Sequence, residues 1–395
     1  MPRKKIYRVY ILAFIFTLHI ALSAYANSTF LSQIIGEKYV GVLYTIASII
    51  TLMLLSNTSL ILKYFGNRKL ILIFIMINMM SLATLIVSSN PVYISMAFIA
   101  FMVTNTLVLF CVDIFIEHFG TPNTIGRTRG IYLTITNLGW ICSPLISSFL
   151  ITKEGGYRAI YILAFIMTIV MSLGMFVYVK KFKDKVYQKT PFLKVYKFLK
   201  TNRHIRAIAF INFILQFFFA IMVVYIPLYL HAHIGLAWNK LGIIFTIMLI
   251  PFILLGIPTG ILIDKYHVRK RLLITIGLLI MIVSTILISQ FTTSSIVFWA
   301  IILFMTRVGA ALVETTSEIY FFTHVREEDA YLLSIFRDMT PIAYIIAPIL
   351  ASLFLLIFPF KYLFLGLGIF VIIGLYYVTQ LKHRHHAIGI PDQNK

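Results

Sequence analysis

Ser295–Phe322, SIVFWAIILFMTRVGAALVETTSEIYFF, is long and apolar enough to cross a bilayer, yet it holds Arg307, Glu314 and Glu318. At ~100° per residue the three charged positions fall on one helical face. Arg307 lies near the middle of the stretch, where a charge is costly unless it meets water, a partner or a ligand. A helix that keeps three charges there needs an interior for them to face, and the rest of the chain must build it.

The composition agrees with a chain that lives in lipid. Of 395 residues, 60% are apolar and 12% charged, about half the charged share of a soluble domain. Twelve apolar stretches run roughly over 8–30, 39–62, 70–89, 91–117, 130–151, 157–179, 206–230, 238–262, 272–290, 295–322, 331–356 and 361–381. Each approaches or exceeds the ~20 residues of a spanning helix. The expected fold class is therefore all-α integral membrane, with twelve transmembrane helices. Of the 34 Lys and Arg, 27 fall in one alternating set of connections and termini, five in the other, and Arg307 and Arg337 inside stretches. The positive-inside rule puts both termini and the 180–206 connection in the cytoplasm. The net charge of +21 is thus read as a membrane-surface feature, with no nucleic acid as partner. MPRKK, an apolar run and Ala24-Tyr25-Ala26 look like a signal peptide with its cleavage site. The run is longer than a usual signal core, and its removal would delete a helix that the repeat below requires. It is read as a span.

The second half echoes the first about 200 residues on. GWICSPLISS (Gly139–Ser148) resembles AYIIAPILAS (Ala343–Ser352), with Pro144 and Pro348 separated by 204. Asp113-Ile-Phe matches Glu318-Ile-Tyr at an offset of 205, and the basic hairpins around Gly66 and His267 are 201 apart. Two parallel six-helix repeats point to a transporter. The expected division is an N-terminal bundle over 1–180, a cytoplasmic linker over 181–205, a C-terminal bundle over 206–382 and a tail over 383–395. Within the linker, lysines 194, 197 and 200 lie on one arc of a helix. This reads as a short amphipathic helix with its lysines toward anionic headgroups on the cytoplasmic side; a solvated linker is the plainer alternative. His383, His385 and His386 read as part of a solvated basic tail. No phosphate-binding GKS/GKT, HExxH or CxxC pattern occurs. No cofactor, metal or enzyme activity is expected.

The hairpin Gly260-Ile-Leu-Ile-Asp264-Lys265-Tyr-His-Val-Arg269-Lys270-Arg271 resembles the signature loop of the major facilitator superfamily, G-x-L-x-D-R-x-G-R-R. His267 replaces the second glycine. The first-half equivalent keeps Gly66 and Arg68 but has Lys63 in place of the acid, and Arg129-Gly130 looks like another family pair. The resemblance implies alternating access through a cavity lined by the first, fourth, seventh and tenth stretches, in a monomer. It also implies that the Asp264 loop meets the start of the fifth stretch, with Arg127 and Arg129. By symmetry Lys63 should face Glu327, Glu328 and Asp329 in a charge-swapped gate, unless it binds lipid phosphate. Gly139, Pro144 and Pro348 belong to helix-packing motifs, the first resembling a degraded antiporter motif.

Near the midpoints of the four cavity stretches stand His19, Asn105, Gln216 and Arg307. They are the candidate solute-binding residues, with Tyr25, Asn27, Trp140, Asn212 and Tyr225 as further lining. Each has a plainer reading: a satisfied core histidine, interhelical hydrogen bonds, or a structural ion pair for Arg307. Arg307 and Glu314 have no charged counterpart in the first half, where Met102 and Leu109 stand. They form the function-specific pair, with Glu314 and His19 as proton carriers. Asp113 and Glu318 do correspond, so Glu318 is grouped with the gate, either it or Glu314 pairing with Arg337. The expected function is a proton-coupled secondary transporter of a small organic solute, in a bacterial cytoplasmic membrane. A multidrug or metabolite exporter is the alternative; a lipid-handling membrane protein or enzyme is the alternative of another class.

Overall fold

The computed structural model describes residues 2–119, 125–151, 156–178, 200–324 and 331–381. The helices are α1 (Pro2–Ala24), α2 (Asn27–Ile35), α3 (Glu37–Ser56), α4 (Thr58–Val87), α5 (Pro91–Phe119), α6 (Ile125–Leu150), α7 (Tyr157–Tyr178), α8 (Arg203–Leu228), α9 (Trp238–Asp264), α10 (Lys270–Gln290), α11 (Ile296–His324), α12 (Tyr331–Leu355) and α13 (Tyr362–Val378). Among the described residues no strand occurs. In hydrocarbon every backbone polar group must be satisfied within its own segment, which leaves helices as the solution for such apolar stretches.

All twelve apolar stretches are helical. Eight helices are individually long and apolar enough to span a membrane. The pair α1–α2 is bent by 45° at Tyr25 and Ala26 and makes a ninth span, and three shorter apolar helices complete the set. From α3 onward each helix is therefore one number ahead of its stretch. The amphipathic segment of the linker and the histidines of the tail lie outside the described residues.

One boundary differs from the sequence reading. The second stretch was expected to reach residue 62, but α3 stops at Ser56. Asn57 makes the turn, its Nδ2 donating to Met53 O at 2.9 Å. The basic connection is helical up to Gly66, whose φ of 70° breaks α4. Glycine takes that conformation without a Cβ clash. The buried side chain of Asn67 then fixes the new helical start, donating to Cys111 O on α5 at 3.0 Å.

The helices form two packed sets. α1 lies against α5, α6 and α7, and α4 against α5 and α7; α8 lies against α11, α12 and α13, and α10 against α11 and α13. The principal contacts between the sets are α3 with α12 and α6 with α9, joined by α2 with α8. The first two are equivalent under the sequence repeat, and both crossings use a glycine. A methyl at Gly41 would lie 2.6 Å from Ser352 Oγ and 3.1 Å from Pro348 O. A methyl at Gly242 would overlap Ser148 and lie 2.9 Å from Pro144 O. The repeated small-residue and proline motifs thus place two helix backbones against two glycines. Glu37 and His233 (3.2 Å) and Trp238 Nε1 donating to Tyr157 OH (2.7 Å) add polar links between the sets. All of these lie toward the end of the bundle opposite the N-terminus.

Candidate functional site

Arg307 is carried on α11, whose position is set by an unusually close crossing with α10. A Cβ on Gly309 would lie 2.5 Å from Gly277 O and 2.9 Å from Met281 N. Two residues from this contact, the Arg307 side chain is 1% exposed. Its Nε, Nη1 and Nη2 make no hydrogen bond of good geometry among the described residues, although the Tyr25 hydroxyl stands close enough to bond the guanidinium. The guanidinium lies over two rings of α8, 5.5 Å from the Phe218 centroid and 5.2 Å from that of Phe219. Desolvated cation–π contacts contribute about 2 kcal/mol, but they satisfy no N–H donor, and each buried unmet donor costs ~1–3 kcal/mol. The side chain is stabilised as a charge and left open as a hydrogen-bonding fork.

Both halves supply the surroundings. Tyr25, at the α1–α2 bend, and Tyr344 on α12 stand close enough to couple electrostatically to Arg307. Tyr25 stacks on Phe245 of α9 at 5.1 Å and meets Trp140 of α6 edge-on at 6.4 Å. Phe219 faces Phe252 of α9 at 6.0 Å. The result is an arginine with an aromatic wall at the seam between the two helix sets. Glu314, two turns along α11, is half-buried and couples to Glu318 and Arg307.

The other three candidate solute residues lie elsewhere. Gln216 of α8 is half-buried and accepts from Thr340 Oγ1 of α12 at 3.1 Å. His19 and Asn105 belong to a separate polar cluster inside the first set. There Asn78 of α4 donates to Thr104 Oγ1 at 2.9 Å and to Asn105 Oδ1 at 2.8 Å. His19 is fully buried, stacked on Phe16, with Nδ1 3.2 Å from Phe16 O. His19 Nε2 and Asn78 Oδ1 make no hydrogen bond of good geometry among the described residues, but the two side chains stand close enough to bond each other. Of the weaker lining candidates, Asn27 accepts from Tyr161 OH at 2.8 Å, and Tyr225 OH donates to Pro348 O at 3.4 Å.

Asn78, Phe218, Phe219 and Tyr344 were not singled out from sequence. The repeat held the signal for Tyr344, which is the counterpart of Trp140 at the same offset of 204.

Among the gate residues, Lys63 and Arg269 are exposed and Glu318 half-buried. Gly260 has nothing within 4 Å of where a Cβ would stand. Arg127, Arg129, Asp264 and Arg337 lie in described helices, but their side chains, and residues Glu327, Glu328 and Asp329 altogether, fall outside the described part. At the second hairpin His267 has φ 53°, a positive φ like that of Gly66 in the first. The packing residues are all placed at contacts. A Cβ on Gly139 would lie 3.3 Å from Leu18 N of α1, one turn from buried Pro144 and two from Ser147, whose hydroxyl donates to Leu22 O at 2.6 Å.

The family model of the Major Facilitator Superfamily matches residues 9–336, and again 239–392. No curated protein matches the chain. Among solved structures, one similar backbone is that of a bacterial homologue of the human lysosomal transporter Spinster, inward-facing and occupied, with TM-score 0.75, 10% identity and 95% of each chain covered. Another is the nucleoside transporter NupG, with TM-score 0.74, 13% identity, and coverage of 96% of this chain and 100% of that one. The human organic anion transporter MFSD10 is similar at TM-score 0.63 and 11% identity, over 95% of this chain and 99% of that one. At such identities the likeness is one of fold. With a matching family model across almost its whole length, eight or more apolar helices of membrane-spanning length and two repeat-related helix sets, the chain belongs to the major facilitator superfamily and is a multi-pass membrane transporter.

Proposed function

We propose that this transporter moves a small organic solute bearing an anionic group, coupled to protons, by alternating access across a cytoplasmic membrane. The observation that carries the reading is Arg307: buried, always ionised, at the seam between the helix sets, with Tyr25 beside it and no hydrogen bond of good geometry at any guanidinium nitrogen among the described residues. A carboxylate or phosphate group would satisfy that fork in bidentate fashion. Tyr25, Trp140 and Phe245 would enclose a flat organic body. The same rings suit a bulky cation, but Arg307 opposes one, so the multidrug exporter ranks second. The bundles over 1–180 and 206–382 act as the two rocking bodies, with residues 181–205 as their tether. With the termini in the cytoplasm, the close crossings at Gly41 and Gly242 would shut the outer side.

Glu314 supplies the coupling. Its protonation is coupled to the Arg307 charge and to Glu318 through the low-dielectric interior. A solute anion on Arg307 cancels the positive charge that favours proton loss, so Glu314 keeps its proton while solute is bound and releases it once solute has left. Solute and proton then move together. The test is uptake into proteoliposomes of solutes grouped by charge, driven by a pH gradient, for wild type and Glu314→Gln. The variant should lose gradient-driven accumulation while keeping solute exchange at equal pH. Unchanged accumulation would remove Glu314 from the mechanism.

A further inference from the structure

A second binding surface lies on the lipid-facing side of the first helix set, away from Arg307. Two hollows between α3, α4 and α5 share Ile77 and Met96 and so form one continuous groove. Its mouth is at Thr84 and Tyr93, and it runs inward to Phe74 and Leu107. From Tyr93 to Leu107 the groove follows α5 for ~21 Å, against a leaflet depth of ~15 Å. Its few polar groups are turned back onto their own helices: Ser81 donates to Ile77 O, Thr84 to Met80 O and Thr104 to Ala100 O. Between Ile77 and Leu107 the groove therefore offers hydrocarbon contact, with the Tyr93 hydroxyl as the remaining polar group toward its mouth.

A cation stands on the α4–α5 connection. Arg158 of α7 is exposed, and its Nη2 donates to Ser88 O and Ser89 Oγ at the end of α4, one turn beyond Thr84. These bonds hold the guanidinium at the connection between α4 and α5, with Nη1 and Nε making no hydrogen bond among the described residues. A fixed guanidinium above an apolar channel longer than one leaflet has the chemistry of a single amphiphile, a phosphate on the arginine and an acyl chain in the groove.

We propose that this groove holds one anionic glycerophospholipid of the leaflet opposite the N-terminus, its phosphate on Arg158 and one tail along α4 and α5. The site is separate from the solute site and does not depend on what is transported. The experiment is native mass spectrometry of the full chain extracted from vesicles of equal parts phosphatidylglycerol, phosphatidylcholine and phosphatidylethanolamine. Wild type should retain one phosphatidylglycerol per chain with a preference of about 5-fold over the zwitterionic lipids. Arg158→Gln should abolish the preference. Met96→Trp fills the point shared by the two hollows, at a side chain 63% exposed and thus outside the folding core, and should lose bound lipid of every class. Headgroup-blind retention by wild type, retention of phosphatidylglycerol by Met96→Trp at the wild-type level, or no retained lipid at all would each overturn the assignment.

Discussion

Gly242→Ala should force open the end of the molecule opposite the termini. The new methyl would collide with Ser148 and stand 2.9 Å from Pro144 O. Rotating the Ser148 hydroxyl relieves part of the clash, but Ser148 Cβ and the proline carbonyl are fixed to α6, so α6 and α9 must separate. Overpacking of this kind costs ~1–3 kcal/mol, borne only by the state in which the two helices touch. The balance between states should then move by about 5- to 150-fold. The assay is labelling of Phe245→Cys by a membrane-impermeant maleimide, added on that side, in a Cys111→Ala, Cys142→Ala background. Phe245 lies one turn deeper than Gly242 on the same face and is 1% exposed in the closed arrangement. Gly242→Ala should raise the labelling rate, and Ser148→Gly in the same chain should bring much of it back. Gly41→Ala should act more weakly, since its two nearest contacts, Ser352 Oγ and Tyr225 OH at 2.6 Å, end movable side chains. A labelling rate unchanged by Gly242→Ala would refute the idea that this crossing is the closure.

Three further outcomes follow from single contacts. His267→Gly should raise thermal stability by about 1 kcal/mol, because His267 holds a φ of 53° that costs a Cβ-bearing residue ~1–2 kcal/mol; a lower midpoint would mean that the imidazole is needed. Asn78→Leu should destabilise the first helix set by ~2–3 kcal/mol in denaturant unfolding, since it removes the donors to Thr104 and Asn105 and leaves buried acceptors unmet. Trp238→Phe removes the bond to Tyr157 and should weaken closure at the opposite end by ~1 kcal/mol, read with the same maleimide assay.

How far the sequence reached differs between depth and direction. Charge inside an apolar run is visible in one dimension, so Arg307 and Glu314 stood out at once. The twelve spans and the repeat were visible for the same reason. Which way a polar side chain faces depends on the packing of neighbouring helices. His19 and Asn105 have the depth of Arg307, yet the structure groups them with Asn78 inside the first set. Asn78 went unremarked because it lies on α4, outside the four helices that the family resemblance marks as cavity-lining. The end of α3 is marked by the polar run Ser56-Asn57-Thr58-Ser59, passed over because apolar residues resume at Leu60; the side-chain bond from Asn57 to Met53 sets the boundary there. The positive φ at His267 was legible as a glycine site in the family loop, and Gly66 of the first hairpin also has a positive φ.

The central claim is that Arg307 receives the anionic group of the solute. The most direct measurement is thermal stability of purified protein against panels of carboxylates, phosphates, neutral solutes and organic cations, for wild type, Arg307→Lys and Arg307→Ala. A ligand of the folded state at 100 times its dissociation constant stabilises by ~2.7 kcal/mol. The account predicts that one anionic class stabilises wild type, that lysine, lacking the fork, keeps part of the effect, and that alanine abolishes it in a protein that remains folded. Equal stabilisation of all three proteins by any anion, or stabilisation by bulky cations alone, would contradict it.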